Sequence, residues 1–132
     1  MADTTEPTAA TGYVLCDDMI FTSRITGTAQ ALGLVVRPAR SIDELKALLQ
    51  QQMPRCVIVD LSNSGLEIDN LIAHLRENCS SMPRVVGYGS HVDTATLKNA
   101  RKAGCDPVLP RSQFVEELPK QLAAWAGSRA EG

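Results

Sequence analysis

The chain has 132 residues, with 13 Lys and Arg against 15 Asp and Glu and a formal charge of −2. That length holds one core and one domain, and the near-neutral balance gives no general attraction to nucleic acid or to an anionic membrane. Cys16, Cys56, Cys79 and Cys105 lie far apart, with no CxxC pair and no zinc-like Cys/His spacing, which points to reduced thiols in a cytoplasmic protein.

Residues 1–11, "MADTTEPTAAT", read as a disordered leader, since they have neither the basic start nor the apolar centre of a signal peptide. "GYVLCD" (12–17) is the first strand, and the segment after it puts Ile25, Ala29 and Leu32 on one helical face that Gly33 ends. "LVVRP" (34–38) is a weaker second strand. Ser41 to Glu44 then spells a capping box, with an apolar stripe of Ile42, Leu45, Leu48 and Leu49. "RCVIVDL" is the third strand, and Ile68, Leu71, Ile72 and Leu75 mark the helix that follows. "RVVGYG" (84–89) is the fourth strand, leading to a helix carrying Leu97, Ala100 and Ala103 that ends at Gly104. "PVLP" (107–110) is a short fifth strand. The last helix gathers Val115, Leu118, Leu122 and Trp125, and Pro119 is expected in its first turn, with 112–118 as a looser lead-in. Residues 127–132 form a polar tail, which leaves 12–126 as the domain. No apolar run approaches the roughly 20 residues of a membrane span.

Strands alternating with helices through short loops indicate an α/β fold, a doubly wound five-stranded parallel sheet with helices on both faces. Strands buried on both sides are nearly uniformly apolar, as "CVIV" is. The common order for five such strands is 2-1-3-4-5, the flavodoxin-like arrangement, with ligands bound at the C-terminal ends of strands 1 and 3.

Those ends carry carboxylates: Asp17 and Asp18 after strand 1, Asp60 at the end of strand 3. At about 4–6 Å and an effective dielectric near 20, each like-charged pair costs on the order of 3 kcal/mol. A bound Mg²⁺ offsets that cost, since it takes one or two carboxylates with waters and phosphate oxygens. The arrangement suits an aspartyl nucleophile accepting a phosphoryl group while the neighbouring pair holds the metal. The alternative is that each Asp starts a loop or caps the next helix.

Over about 13–125, through "VLCDD", "VIVDL", "AGCDPVLPR" and the five-unit alternation, the chain resembles the receiver domains of bacterial two-component response regulators. The resemblance implies Asp17 and Asp18 as Mg²⁺ ligands together with Asp60, and Asp60 as the residue phosphorylated by a histidine kinase or phosphotransfer protein. It also implies output through an unnamed downstream protein and pairing of two copies through helix 4 and strand 5. The chain would then not be an enzyme beyond the phosphorylation and dephosphorylation of its own Asp60. The family's strand-5 lysine is replaced by Arg111, which keeps the charge in a rigid planar fork. Its strand-4 hydroxyl falls on Tyr88 in a gap-free alignment or on Ser90 after a slip of two, and Ser90 also fits an S-x-x-D helix start with Asp93. The usual strand-5 aromatic is absent, with Val108 in its place.

Met19, Ile20 and Phe21 form an apolar cluster beside the acidic edge, read as a partner surface, a lid, or packing against helix 5 or the leader. His91, on the same rim, and His74 read as polar surface. A flavodoxin reading fails because Thr26-Gly27-Thr28 lies too far past strand 1 for a phosphate loop. A low-molecular-weight phosphatase reading fails because "CSSMPR" has one spacer too few and precedes strand 4. The remaining rival is a pseudo-receiver, a docking module on the same fold that is not phosphorylated.

Overall fold

The computed structural model describes residues 11–126; residues 1–10 of the expected 1–11 leader and the tail over 127–132 lie outside the described residues. Chain order is β1 (Gly12–Leu15), α1 (Met19–Ala31), β2 (Val36–Ala39), α2 (Ile42–Gln51), β3 (Cys56–Asp60), α3 (Ile68–Asn78), β4 (Arg84–Gly89), α4 (Thr94–Ala103), β5 (Val108–Pro110) and α5 (Arg111–Ala126). All strand pairs are parallel, in the order β2-β1-β3-β4-β5. That is the doubly wound order expected from the sequence, and the two proline-bearing strands, β2 with Pro38 and β5 with Pro110, are the two edges, where a missing N–H is tolerated.

Local signals set several boundaries. Gly33 takes φ +76°, a left-handed value that ends the α1 segment without a Cβ penalty. Ser41 Oγ accepts the Glu44 backbone N–H at 3.2 Å, while Glu44 reaches back to the Arg40 N–H at 2.8 Å, one residue beyond the reciprocal partner of an ideal box. Other boundaries move. β1 stops at Leu15, so Cys16, Asp17 and Asp18 form a loop rather than the end of a strand, and α1 begins at once at Met19. Leu32, expected on the buried face of that helix, is its C-cap and is exposed. Thr11, expected in the leader, is bound on both sides: its N–H and hydroxyl donate to Val35 O, and its carbonyl accepts from Arg55 N–H.

The last helix differs most from expectation. It is continuous from Arg111, and Pro119 sits in its interior rather than in the first turn of a later helix. Pro119 is exposed, so its bulky ring lies on the solvent side, while Phe114 and Leu118 bury the preceding turn and hold it helical. Phe114 takes the inward place expected of Val115, which is half-buried.

Two cores follow from the alternation of side chains along each strand. One face of the sheet, with Tyr13, Leu15, Val57, Val59 and Val85, is covered by α2, α3 and α4 through residues such as Leu45, Leu71, Leu75 and Leu97. The other, with Val14, Cys16, Ile58, Val86 and Tyr88, is covered by α1 and α5 through Ile25, Ala29, Phe114, Leu118, Leu122 and Trp125. Asp60 is two residues beyond Ile58, so its side chain belongs to the α1 and α5 side.

Candidate functional site

Strand register assembles the site. Leu15 pairs with Val59 and Asp60 pairs with Tyr88, so Cys16, the first residue past β1, comes level with Asp60 of β3 and Tyr88 of β4 at the C-terminal edge of the sheet. All three face the same side. The Tyr88 hydroxyl donates to Cys16 Sγ at 3.3 Å, and Cys16 Sγ–H has two acceptors, Asp60 Oδ2 at 3.7 Å and the Asp18 carbonyl at 3.6 Å.

Asp60 is 6% exposed, and the other buried polar residue among those described is the neutral Asn63. Asp60 Oδ1 accepts both the backbone N–H of Ser62 at 2.9 Å and the Ser62 hydroxyl at 2.7 Å, a local turn that Asp favours wherever a strand gives way to a loop. Hydrogen bonds to the charged form offset part of the cost of burying a carboxylate. Tyr88 is fully buried, and its hydroxyl titrates far above the ordinary phenol range. Burial is the main cause, followed by its bond to Cys16 and the negative charge of Asp60, while the Arg111 charge opposes the shift. Asn63 Nδ2 reaches the Arg40 and Ser64 carbonyls at 3.4 Å each, and its Oδ1 is buried without a partner.

The expected acidic trio is brought to one edge but does not close around one point. Asp18 caps α1, its Oδ1 accepting the N–H groups of Ile20 and Phe21 at 3.0 and 3.1 Å. Because β1 ends early and α1 starts at Met19, its carboxylate is the nearest acceptor for the orphan donors of the helix start. Asp17 is exposed beside it. Among the described residues no three His, Cys, Asp or Glu side chains form a group that could hold a metal ion. The donor chemistry still fits Mg²⁺ in its more open mode, because that ion takes one or two carboxylates and fills its shell with water and phosphate oxygens. Such an ion would have to draw on Asp60 and Asp17, because Asp18 has one oxygen committed to its helix.

Of the two hydroxyl candidates, Tyr88 holds the register position opposite Asp60, whereas Ser90 lies past the end of β4, half-buried in the loop, its Oγ accepting the Val92 N–H at 3.3 Å. The cap of α4 is Asp93, through the Thr96 N–H, and not Ser90. Arg111 is the exposed first residue of α5, directly after β5. His91 is exposed on the β4–α4 loop, and His74 is half-buried on α3. The apolar cluster divides: Phe21 packs on Tyr88 and Phe114 at centroid distances of 5.0 and 6.0 Å, while Met19 and Ile20 are exposed. A groove of about 510 Å³ lies between the starts of α3 and α4, and no carboxylate of the trio lines it.

Two residues beside Asp60 were not singled out as part of its site on sequence grounds. Cys16 reads as core filler until the register sets its thiol against the carboxylate. Ser62 carries a legible signal, since a hydroxyl two residues after an Asp is a common turn pattern.

No protein-family model matches the chain. It is 29% identical over 111 residues to the photosynthetic apparatus regulatory protein RegA of Cereibacter sphaeroides, covering 82% of this chain and 58% of that one, so it spans little more than half of that relative's length. A response regulator from Thermotoga maritima superposes with a TM-score of 0.75 at 21% identity, over 92% of this chain and 100% of that chain. The receiver domain of NtrX from Brucella abortus does so with a TM-score of 0.73 at 19% identity, over 89% and 98%. A Burkholderia pseudomallei response regulator with a phosphorylated aspartic acid, calcium ion and citrate matches at 26% identity and a TM-score of 0.71, over 88% of this chain and 66% of that one. Sheet order, helix placement and these superpositions agree that the chain has the receiver fold of response regulators.

Proposed function

We propose that the chain is a receiver-type signalling module whose Asp60 accepts a phosphoryl group from a histidine kinase or phosphotransfer protein and which acts through contacts with a further protein. The observation that carries this reading is the buried charge of Asp60 at the C-terminal end of the central strand β3. Its hydrogen-bond partners are the neutral donors Ser62 and Cys16, and ligands of such sheets bind at this switch point. A buried carboxylate is expensive to keep, and chemistry at that position is a reason to keep it.

In the proposed step an Asp60 oxygen attacks the phosphorus of a phosphohistidine. The P–N bond breaks with its electron pair going to the imidazole nitrogen, which takes a proton from water, and an aspartyl phosphate forms. Arg111 offers a guanidinium to the phosphoryl oxygens. Mg²⁺, held through Asp60 and Asp17 with Asp18 beside them, would supply neutralisation of the charge gathered there.

Two observations favour the second reading, a docking module that is not phosphorylated: Asp18 is engaged as a helix cap, and a large buried Tyr88 stands where a small hydroxyl residue is expected. Intact mass after incubation with phosphoramidate and Mg²⁺ separates the two. A gain of one phosphoryl group in the wild type and none in Asp60→Asn is the expected result. No gain in the wild type selects the docking module.

A further inference from the structure

We propose that Cys16 is a positioning residue that couples the charge of Asp60 to the α1 and α5 side of the sheet, with Tyr88 as the next link. The inference rests on Asp60 being the group whose charge changes. The thiol is fully buried, so it is not offered to oxidants or metals, and its role is that of a hydrogen-bond link.

The geometry supplies a small switch. One S–H proton faces two acceptors at nearly equal distance, the Asp60 carboxylate at 3.7 Å and the Asp18 carbonyl at 3.6 Å. An ionised acceptor is the stronger of the two, so the thiol proton points to Asp60 while that group is a carboxylate. When either oxygen is esterified, the charge leaves the carboxyl for the phosphoryl group, Cys16 then faces a neutral oxygen, and the Asp18 carbonyl becomes the better partner.

That turn of the thiol reorients the sulfur lone pairs that accept the Tyr88 hydroxyl at 3.3 Å. Tyr88 passes the change on through rings. It stacks on Phe114 at 4.5 Å and tilts against Phe21 of α1 at 5.0 Å, and Phe114 in turn stacks on Trp125 at 6.0 Å with planes 8° apart. The path therefore runs from the end of β3 to both helices of one face, and reaches Trp125, the only tryptophan of the chain, one residue before the end of α5.

The test needs no phosphate, so its failure is separate from failure of the mass measurement above. Asp60→Asn removes the charge at nearly constant shape. Trp125 emission, with the ¹H–¹⁵N amide shifts of Phe21 and Phe114, is compared for wild type and Asp60→Asn, and then for the same pair in a Cys16→Ala background. Loss of the charge is expected to move all three signals in the wild-type background and to leave them unmoved in Cys16→Ala. Cys16→Ser, which keeps a donor and an acceptor, is expected to restore the response, and Tyr88→Phe to abolish it even where Cys16→Ala fails to fold. Equal responses with and without the thiol, or no response to Asp60→Asn in the wild-type background, would overturn the coupling.

Discussion

The two buried strand tyrosines, one on each face of the sheet, do different work. Tyr13, on the α2, α3 and α4 side, has its hydroxyl at 3.0 Å from Leu48 O, which also accepts the Gln52 backbone N–H, and at 2.7 Å from Gln52 O at the C-cap of α2. Tyr88, on the α1 and α5 side, gives its hydroxyl to a thiol that itself faces a carboxylate. Around Tyr13 the packing is aliphatic; around Tyr88 it is aromatic, with Phe21, Phe114 and Trp125 in ring contact. One face locks a helix to the sheet through a neutral bond to the backbone. The other sets polarisable groups next to the one buried carboxylate among the described residues, and the proposed coupling rests on that contrast.

The largest expected effect lies on the aromatic face. Phe114 is fully buried between Tyr88 and Trp125, and Phe114→Ala should cost about 4 kcal/mol in urea denaturation. A cost near 1 kcal/mol would mean the ring stack is not what holds α5 to the sheet.

Alkaline pH probes both faces through their thiols. Burial pushes Cys56, on the α1 and α5 side, up to about 12 from an ordinary 9.0, with Arg84 opposing, and pushes Cys105, on the other side, up to about 11. Above pH 9 the unfolded chain loses these protons while the folded chain keeps them, so stability present below that pH is lost as pH rises. The urea midpoint should start to fall above pH 9 and continue falling toward pH 12. Replacing Cys56 with Ala should flatten the upper end of that fall more than Cys105→Ala does; equal flattening would contradict the difference in burial.

The smallest effect sharpens the tyrosine comparison directly. Tyr13→Phe removes a hydroxyl bonded to two carbonyls at the end of α2 and should cost about 1 kcal/mol, whereas Tyr88→Phe removes only a weak bond to sulfur and should cost about 0.5 kcal/mol. Paired thermal melts check the order. If Tyr88→Phe proved the costlier, the hydroxyl on that side would be a structural fastening rather than a signalling link.

How much could be read beforehand depended on range. Gly33 and Gly104, with φ of +76° and +122°, ended their segments because left-handed backbone strongly favours glycine, and Ser41 with Glu44 started α2 through bonds spanning a few residues. The strand order followed from the alternation and from crossover handedness. Asp60 stood out as a carboxylate ending an apolar run. Asp18 was legible only as one of two possibilities, metal ligand or cap, because the choice turned on where β1 stopped.

By itself, then, the sequence determined the number and kind of elements, their order in the sheet and the edge that bears Asp17, Asp18 and Asp60, since each is dictated by local dihedral preferences and by which residues shun water. Tertiary structure alone decided that α5 runs through Pro119, that Asp18 turns to its helix, and that Cys16, Asp60 and Tyr88 stand in one row. Cys16 and Asp60 are 44 residues apart and Cys16 and Tyr88 are 72 apart. Their contact exists only because parallel pairing sets the three strands in register, and no short-range pattern encodes a distance between strands.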